Sequence, residues 1–197
     1  MLLGAGIAHA DPAPAKPDAP DPAAQRAGDA NLESIAQRHG LTLSAAIGGA
    51  LTVGVGLSDS VGRGGALSLR LGQTMTENSV LTVELQSTTV LRDVGGETIT
   101  NQDTNFMVGA QYFIGSSLFL RFAGGIGDYI RNRVDSPEMV GKLITRKVAG
   151  PVGIGSGGLE YIHSRHVSLD FELFVLGMPN RDGFLLVPGF GLGGSYY

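Results

Sequence analysis

The sequence predicts an all-β fold: an eight-stranded antiparallel up-and-down transmembrane β-barrel preceded by a disordered N-terminal segment. Three observations predict it. Hydrophobic residues make up 43% of the 197-residue chain and charged residues only 16%, which is apolar for a water-soluble domain. The longest uncharged stretch, Leu41 to Ser58, is broken by Ser44, Gly48, Gly49, Thr52, Gly54 and Gly56. A membrane helix needs about 20 mostly apolar residues, so none is convincing here. From Leu41 onward apolar residues recur with a period of two, which puts alternate side chains on opposite faces of a strand. Apolar character spread over many short alternating segments suits a membrane-spanning β-protein.

Composition excludes several classes. The 31 glycines would each cost about 1 kcal/mol relative to alanine inside a helix, so an all-helical chain is disfavoured. They have no three-residue period, which excludes collagen. Absence of cysteine removes disulfides, zinc–thiolate sites and thiol nucleophiles. A net charge of −4 gives no reason to expect nucleic-acid binding. No cluster has metal-ligand spacing, and no cofactor is expected.

Residues 1–10 read as the remnant of a secretory signal peptide. Met1 to Ile7 is apolar, and Ala8-His9-Ala10 puts small residues at the two positions signal peptidase reads. Residues 11–40 form a Pro/Ala-rich periplasmic linker, with Pro12, Pro14, Pro17, Pro20 and Pro22 and little to bury. Asn31 to His39 could add a short helix stopped by Gly40. The barrel is residues 41–197.

Strand one, about Ile47–Leu57, sets Ile47, Leu51, Val53, Val55 and Leu57 against Gly48, Ala50, Thr52, Gly54 and Gly56. Strand two, about Ala66–Met75, sets Leu67, Leu69 and Leu71 against Ala66, Ser68, Arg70 and Gly72. Strand three, about Val80–Leu91, sets Leu81, Val83 and Leu85 against Thr82, Glu84, Gln86 and Thr88. Strand four, about Phe106–Ile114, sends Phe106, Val108, Ala110, Tyr112 and Ile114 outward. Strand five, about Leu118–Asp128, sets Leu118, Leu120, Phe122 and Ile126 against Phe119, Arg121, Ala123, Gly125 and Gly127. Strand six, about Val148–Ile162, reads Val152 and Ile154 outward, then shifts to Leu159 and Tyr161; a β-bulge at Gly157-Gly158 would reconcile the two. Strand seven, about Val167–Val175, alternates Val167, Leu169, Phe171, Leu173 and Val175 with Ser168, Asp170, Glu172 and Phe174. Strand eight, about Leu186–Tyr196, sets Leu186, Phe190, Leu192 and Tyr196 against Gly189, Gly191, Gly193 and Ser195.

The polar faces decide the orientation. A soluble barrel would carry a dense Lys/Glu exterior. Here the second face is Gly, Ala, Ser and Thr with isolated Arg70, Glu84, Arg121, Asp170 and Glu172. That suits a narrow lumen holding an ionic network, with the apolar face toward lipid. Eight strands leave a lumen filled by side chains, so no general porin activity is expected. Loop lengths agree. The turns at 76–79, 115–117 and 163–166 are short and periplasmic; the connections 92–105 and 129–147 are long and external.

Residues 41–197 resemble the OmpA-like and OmpX-like small outer-membrane β-barrel family. The resemblance rests on the eight alternating segments, the glycine-rich first strand and the closing Gly189-Phe190-Gly191-Leu192-Gly193-Gly194-Ser195-Tyr196-Tyr197. It implies location in a bacterial outer membrane, contact with membrane lipid and lipopolysaccharide, and insertion by the barrel-assembly machinery, which reads the terminal aromatic strand. The chain departs in phase, its apolar set being Phe190, Leu192 and Tyr196 rather than the set in step with Tyr197. Without Trp, an interfacial aromatic girdle would rest on Tyr112, Tyr129, Tyr161, Phe184 and Tyr196.

Two further constellations carry chemistry. Arg131, Arg133, Lys142, Arg146 and Lys147 outnumber Asp135 and Glu138 in one external loop and could bind anionic groups; a solvated loop is the alternative. His163, His166 and Ser168, with Asp170 or Glu172, resemble the His-x-Ser arrangement of lipid A deacylase barrels, but they face the lumen at the periplasmic end, away from lipid A. Two Gly-x-Gly-x-x-Gly matches, at Gly153 and Gly189, lack the following helix and follow from glycine content. The expectation is a non-enzymatic outer-membrane barrel with a structural or surface-interaction role. A narrow channel, a lipid-modifying barrel enzyme and a soluble lipocalin-like binding barrel are the alternatives.

Overall fold

The computed structural model describes residues 38, 40–55, 61–94, 97–134, 143–162, 166–180 and 183–197. Among them the chain is all-β, with eight strands: β1 (Leu41–Val55), β2 (Gly62–Thr76), β3 (Ser79–Val94), β4 (Glu97–Ile114), β5 (Leu118–Val134), β6 (Leu143–Ile162), β7 (Val167–Asn180) and β8 (Gly183–Tyr196). Each pairs antiparallel with the next, and β8 returns to β1, so the sheet is a closed barrel. Closure is what hydrocarbon demands, since an open edge would leave peptide groups unpaired there. The signal remnant, the linker and the possible short helix lie outside the described residues, apart from Arg38 and Gly40.

Alternation fixes an inverted barrel. Ile47, Leu69, Val83, Phe106, Phe122, Leu159, Leu169, Phe171, Leu173 and Leu192 all point outward and are exposed. Asp170 and Glu172, the residues between those of β7, are buried inside. A contiguous apolar belt around a polar-centred barrel is the surface of a transmembrane barrel, not of a soluble one.

Four expectations need correction. β6 keeps one register with β5 from Leu143 to Leu159 and with β7 from Gly153 to Ile162, so there is no bulge at Gly157-Gly158. Its phase runs unbroken from Tyr161, which places Val152 and Ile154 in the lumen, buried with Leu176, Met178, Leu185 and Val187. The lumen is therefore not lined by small and ionic residues throughout. Toward the long hairpins its β6–β8 side is apolar, because those strands turn Val152, Ile154, Leu176, Met178, Leu185 and Val187 inward there. The supposed external loops are mostly strand: β3 and β4 pair out to Val94 and Glu97, and β5 and β6 out to Val134 and Leu143. Their Thr, Asn and Ile residues suit a two-sided polar strand in water as well as a loop. Finally, Tyr129 packs against the luminal apolar cluster, so it leaves the girdle.

The remaining girdle residues point outward. Tyr112, Tyr161 and Tyr196 lie near the end of the short turns, and Phe184 near the opposite rim. The barrel thus has a high wall, β3 to β6, and a low wall, β7 to β2. On β5 the outward apolar run stops at Ile126 while the strand continues to Val134, a further rise of about 25 Å along the strand.

The belt carries a direct prediction. Leu173→Lys, near the middle of the outward row of β7, is expected to destabilise the barrel by about 2–4 kcal/mol in denaturant unfolding from phospholipid bilayers. Thr104→Lys, beyond the belt on β4, is expected to change it by less than about 1 kcal/mol.

Candidate functional site

The lumen is filled in layers. At its centre, β2, β3, β5 and β7 each send ionic side chains inward, and Arg70, Glu84, Arg121, Asp170 and Glu172 meet there. Arg121 bridges two carboxylates: its Nη1 pairs with Glu84, and its Nη2 with Glu172. Its Nε also donates to Glu172 Oε1 at 2.9 Å and to Ser156 Oγ at 3.1 Å. Glu172 takes a second cation, Arg70 Nη1 at 3.1 Å, while Arg70 Nη2 lies 3.7 Å from Asp170 Oδ2. Thr82 Oγ1 donates to Glu84 Oε1 at 2.7 Å, and Ser195 Oγ to Asp170 Oδ2 at 3.2 Å. All five ionic side chains are at most 5% exposed. Small residues make the room: a Cβ on Gly193 would come within 2.3 Å of Asp170 Oδ1. Ions so deep in a membrane barrel persist only because each has an opposite charge and hydrogen bonds.

The end with the short turns is closed by residues the sequence pattern did not single out. Arg38, three residues before β1 begins at Leu41, is 1% exposed. Its Nη2 donates to Ser116 O at 2.6 Å and to Glu160 Oε2 at 3.2 Å. Its guanidinium stacks 3.7 Å from the Phe113 ring centroid, and Phe113 meets Phe119 edge-on. Tyr197, the last residue, donates its hydroxyl to Glu160 Oε1 at 2.6 Å. Both ends of the described chain thus converge on one carboxylate of β6. The one available signal was phase: Glu160 shares the luminal face with Ser156 once β6 is read without a bulge.

At the other mouth, β3 and β4 present Gln86, Thr88, Asn101, Asp103 and Asn105 inward, all buried. Asn105 Nδ2 donates to Asp103 Oδ2 at 2.7 Å. Burial pushes the Asp103 carboxyl up to about 6, against the pull of the bonds from Asn105 and Thr88. Asp103 lies beyond the belt, since its outward neighbours are Gln102 and Thr104.

Arg131, Arg133, Arg146 and Lys147 of the basic constellation lie on strands β5 and β6 rather than in a loop. Arg131 pairs directly with Arg146 and Ile130 with Lys147 across β5 and β6; Arg133 lies two residues on, opposite Ile144. Asn101 of β4 flanks Arg131 on the other side. Lys142 lies outside the described residues. The His-x-Ser pair is split: His166 is exposed with its ring 5.9 Å from outward Tyr196, whereas Ser168 is fully buried in the lumen, and His163 lies outside the described residues. Among the described residues no group of three or more His, Asp or Glu could hold a metal.

No protein-family model and no curated protein matches the chain in sequence. Solved structures match its fold. Neisserial surface protein A aligns at TM-score 0.58 and 9% identity, over 79% of this chain and 96% of that one. Ail, the attachment invasion locus protein of Yersinia pestis, aligns at TM-score 0.55 and 14% identity, over 80% and 98%. Ail in complex with the heparin analogue sucrose octasulfate aligns at 0.54 and 15%, over the same shares. The fold is that of the small bacterial outer-membrane β-barrels, the OmpA- and OmpX-like architecture.

Two outcomes are expected. Glu172→Gln leaves Arg70 and Arg121 short of their shared counter-ion and should cost about 3–5 kcal/mol in bilayer unfolding titrations. Asp103 is raised in the fold, so its contribution is fully present below the ordinary carboxylate value near 4 and is lost as pH climbs through about 6. Wild-type barrel should therefore lose about 2–3 kcal/mol relative to Asp103→Asn between pH 4 and pH 7.5, measured by the same titration at both pH values.

Proposed function

We propose that this chain is a non-enzymatic outer-membrane barrel whose extended β5–β6 hairpin binds polyanionic saccharide at the cell surface. The amino-terminal end and the short turns face the periplasm, and the high wall stands outside. The barrel-assembly machinery inserts the chain through its aromatic closing strand, and lipopolysaccharide surrounds it in the outer leaflet. The lumen is closed by its own side chains and serves as scaffold, not as a passage.

One observation carries the binding reading. Arg131 and Arg146 are direct cross-strand partners, with Lys147 and Arg133 within two residues. Like charges placed opposite each other on an antiparallel pair repel. A sulfated or phosphorylated saccharide laid along the hairpin relieves that repulsion and meets the planar, bidentate donors arginine offers to such groups. The heparin analogue bound by Ail, a barrel of this fold, is a ligand of that chemistry. The His166 and Ser168 separation argues against a hydrolytic triad, whose members must lie within hydrogen-bond reach.

The test is heparin affinity of the full chain in detergent micelles. Arg131→Ala with Arg146→Ala is expected to weaken binding at least tenfold and to elute at lower salt, in keeping with two lost charge-assisted contacts. Unchanged elution would remove the hairpin from the binding surface. Sizeable, reproducible single-channel conductance would count against the closed-lumen reading.

A further inference from the structure

Arg63 is out of keeping with the surface it occupies. It is an exposed, outward-facing position on β2, paired with Leu51 of β1 and Leu91 of β3. Those leucines are 51% and 57% exposed, and Val61, one outward position further on, is 65% exposed. The cation therefore lies at the outer rim of the apolar belt, with Leu51, Leu91 and Val61 around it and exposed Thr89 diagonal to it. Among outward strand positions whose side chains are described it is the one basic residue, and no carboxylate of the described residues pairs with it. An ionised group at such a rim, among apolar neighbours, reaches for water or for an anion.

A groove of about 410 Å³ runs beside it, lined by Gly49, Leu51, Arg63, Pro188 and Phe190. Gly49 and Gly65 are register partners, and the outward side of Gly65 is open, its nearest neighbour being Gly48 O at 3.8 Å from a built Cβ. Phe190 leans over Gly49, its Cε1 2.8 Å from where a Cβ would stand, and forms one wall. The β1–β8 ladder lapses here, between the Ala50–Gly189 and Val53–Leu186 pairs, where Pro188 offers no N–H. Apolar walls with a single cation at one end match an amphiphile with an acyl chain and an anionic head.

We infer that this groove binds a phosphorylated, acylated glycolipid of the outer leaflet, with one acyl chain against Gly49, Gly65 and Phe190 and a phosphate on Arg63. The choice of a glycolipid rests on the orientation proposed above, which puts this end of the barrel in the leaflet that carries such lipids. Arginine's planar fork suits a phosphate group. The site lies on the low wall, so a lipid there stays clear of the β5–β6 hairpin.

The test is native mass spectrometry of the full-length, delipidated barrel titrated with lipid A, dephosphorylated lipid A and phosphatidylglycerol. Wild type is expected to hold one lipid A about tenfold more tightly than either of the others. Arg63→Gln should lose that preference while keeping residual acyl binding. Gly49→Leu, which fills the groove and leaves the charge, should lose both lipid A species; Phe190 has a free ring end that can give way, so this variant folds. Full preference retained in Arg63→Gln, or equal binding of phosphatidylglycerol by wild type, would overturn the site. The orientation is tested apart from it. The chain has no native cysteine, so Thr100→Cys is a unique label, expected to react with an impermeant maleimide on intact cells. Absence of that labelling would overturn the orientation, and with it the choice of glycolipid, whatever the titration gives.

Discussion

Hydrocarbon offers a peptide group nothing to bond with, and the rest of this molecule follows from that constraint. A β-chain in such a solvent must close on itself, as β8 does on β1. Closure makes each strand two-faced. One row of side chains meets lipid and the other meets the axis. With eight strands the axis has space for side chains and little else, so whatever points inward must be mutually compatible. The luminal arginines and carboxylates satisfy this as a group: Glu172 is held by both Arg70 and Arg121, and Arg121 also holds Glu84. Remove one member and the others are left charged in a medium that cannot solvate them.

The same constraint explains the layering. Where β6, β7 and β8 turn Val152, Ile154, Leu176 and Val187 inward, no ion needs a partner, and packing alone fills the space. Beyond the belt the constraint relaxes. There β4 can bury Asp103 beside Asn105 with no arginine bridging it among the described ion pairs, and the carboxyl responds by holding its proton more tightly.

The sequence made the strands and their two faces legible because period-two patterning is local. β7 could be read residue by residue, from Val167 to Val175. The shared face of Arg70, Glu84, Arg121, Asp170 and Glu172 was legible for the same reason, although which acid each arginine takes was not. β6 misled because apolarity was read as a pointer to lipid. In a barrel whose lumen is also apolar beside β6 to β8, Val152 and Ile154 carry no such pointer, and the unbroken phase from Tyr161 was the better guide. Tyr129 misled in the same way. The long hairpins were hidden because β4 carries polar residues on both faces, Asn101, Asp103 and Asn105 inward and Gln102 and Thr104 outward, which leaves no amphipathic signature. Arg38, Glu160 and Tyr197 were hidden because nothing local encodes a contact across 122 residues.

That last trio has a meaning for how the molecule comes into being. Arg38 precedes the first strand, Tyr197 follows the final one, and Glu160 belongs to the sixth. Until the first and final strands have zipped together, Arg38 and Tyr197 are not both held against the same carboxylate. The clasp is therefore a knot that can be tied only on a finished cylinder: a partly inserted chain leaves Glu160 half-partnered, and completion of the sheet supplies both of its donors.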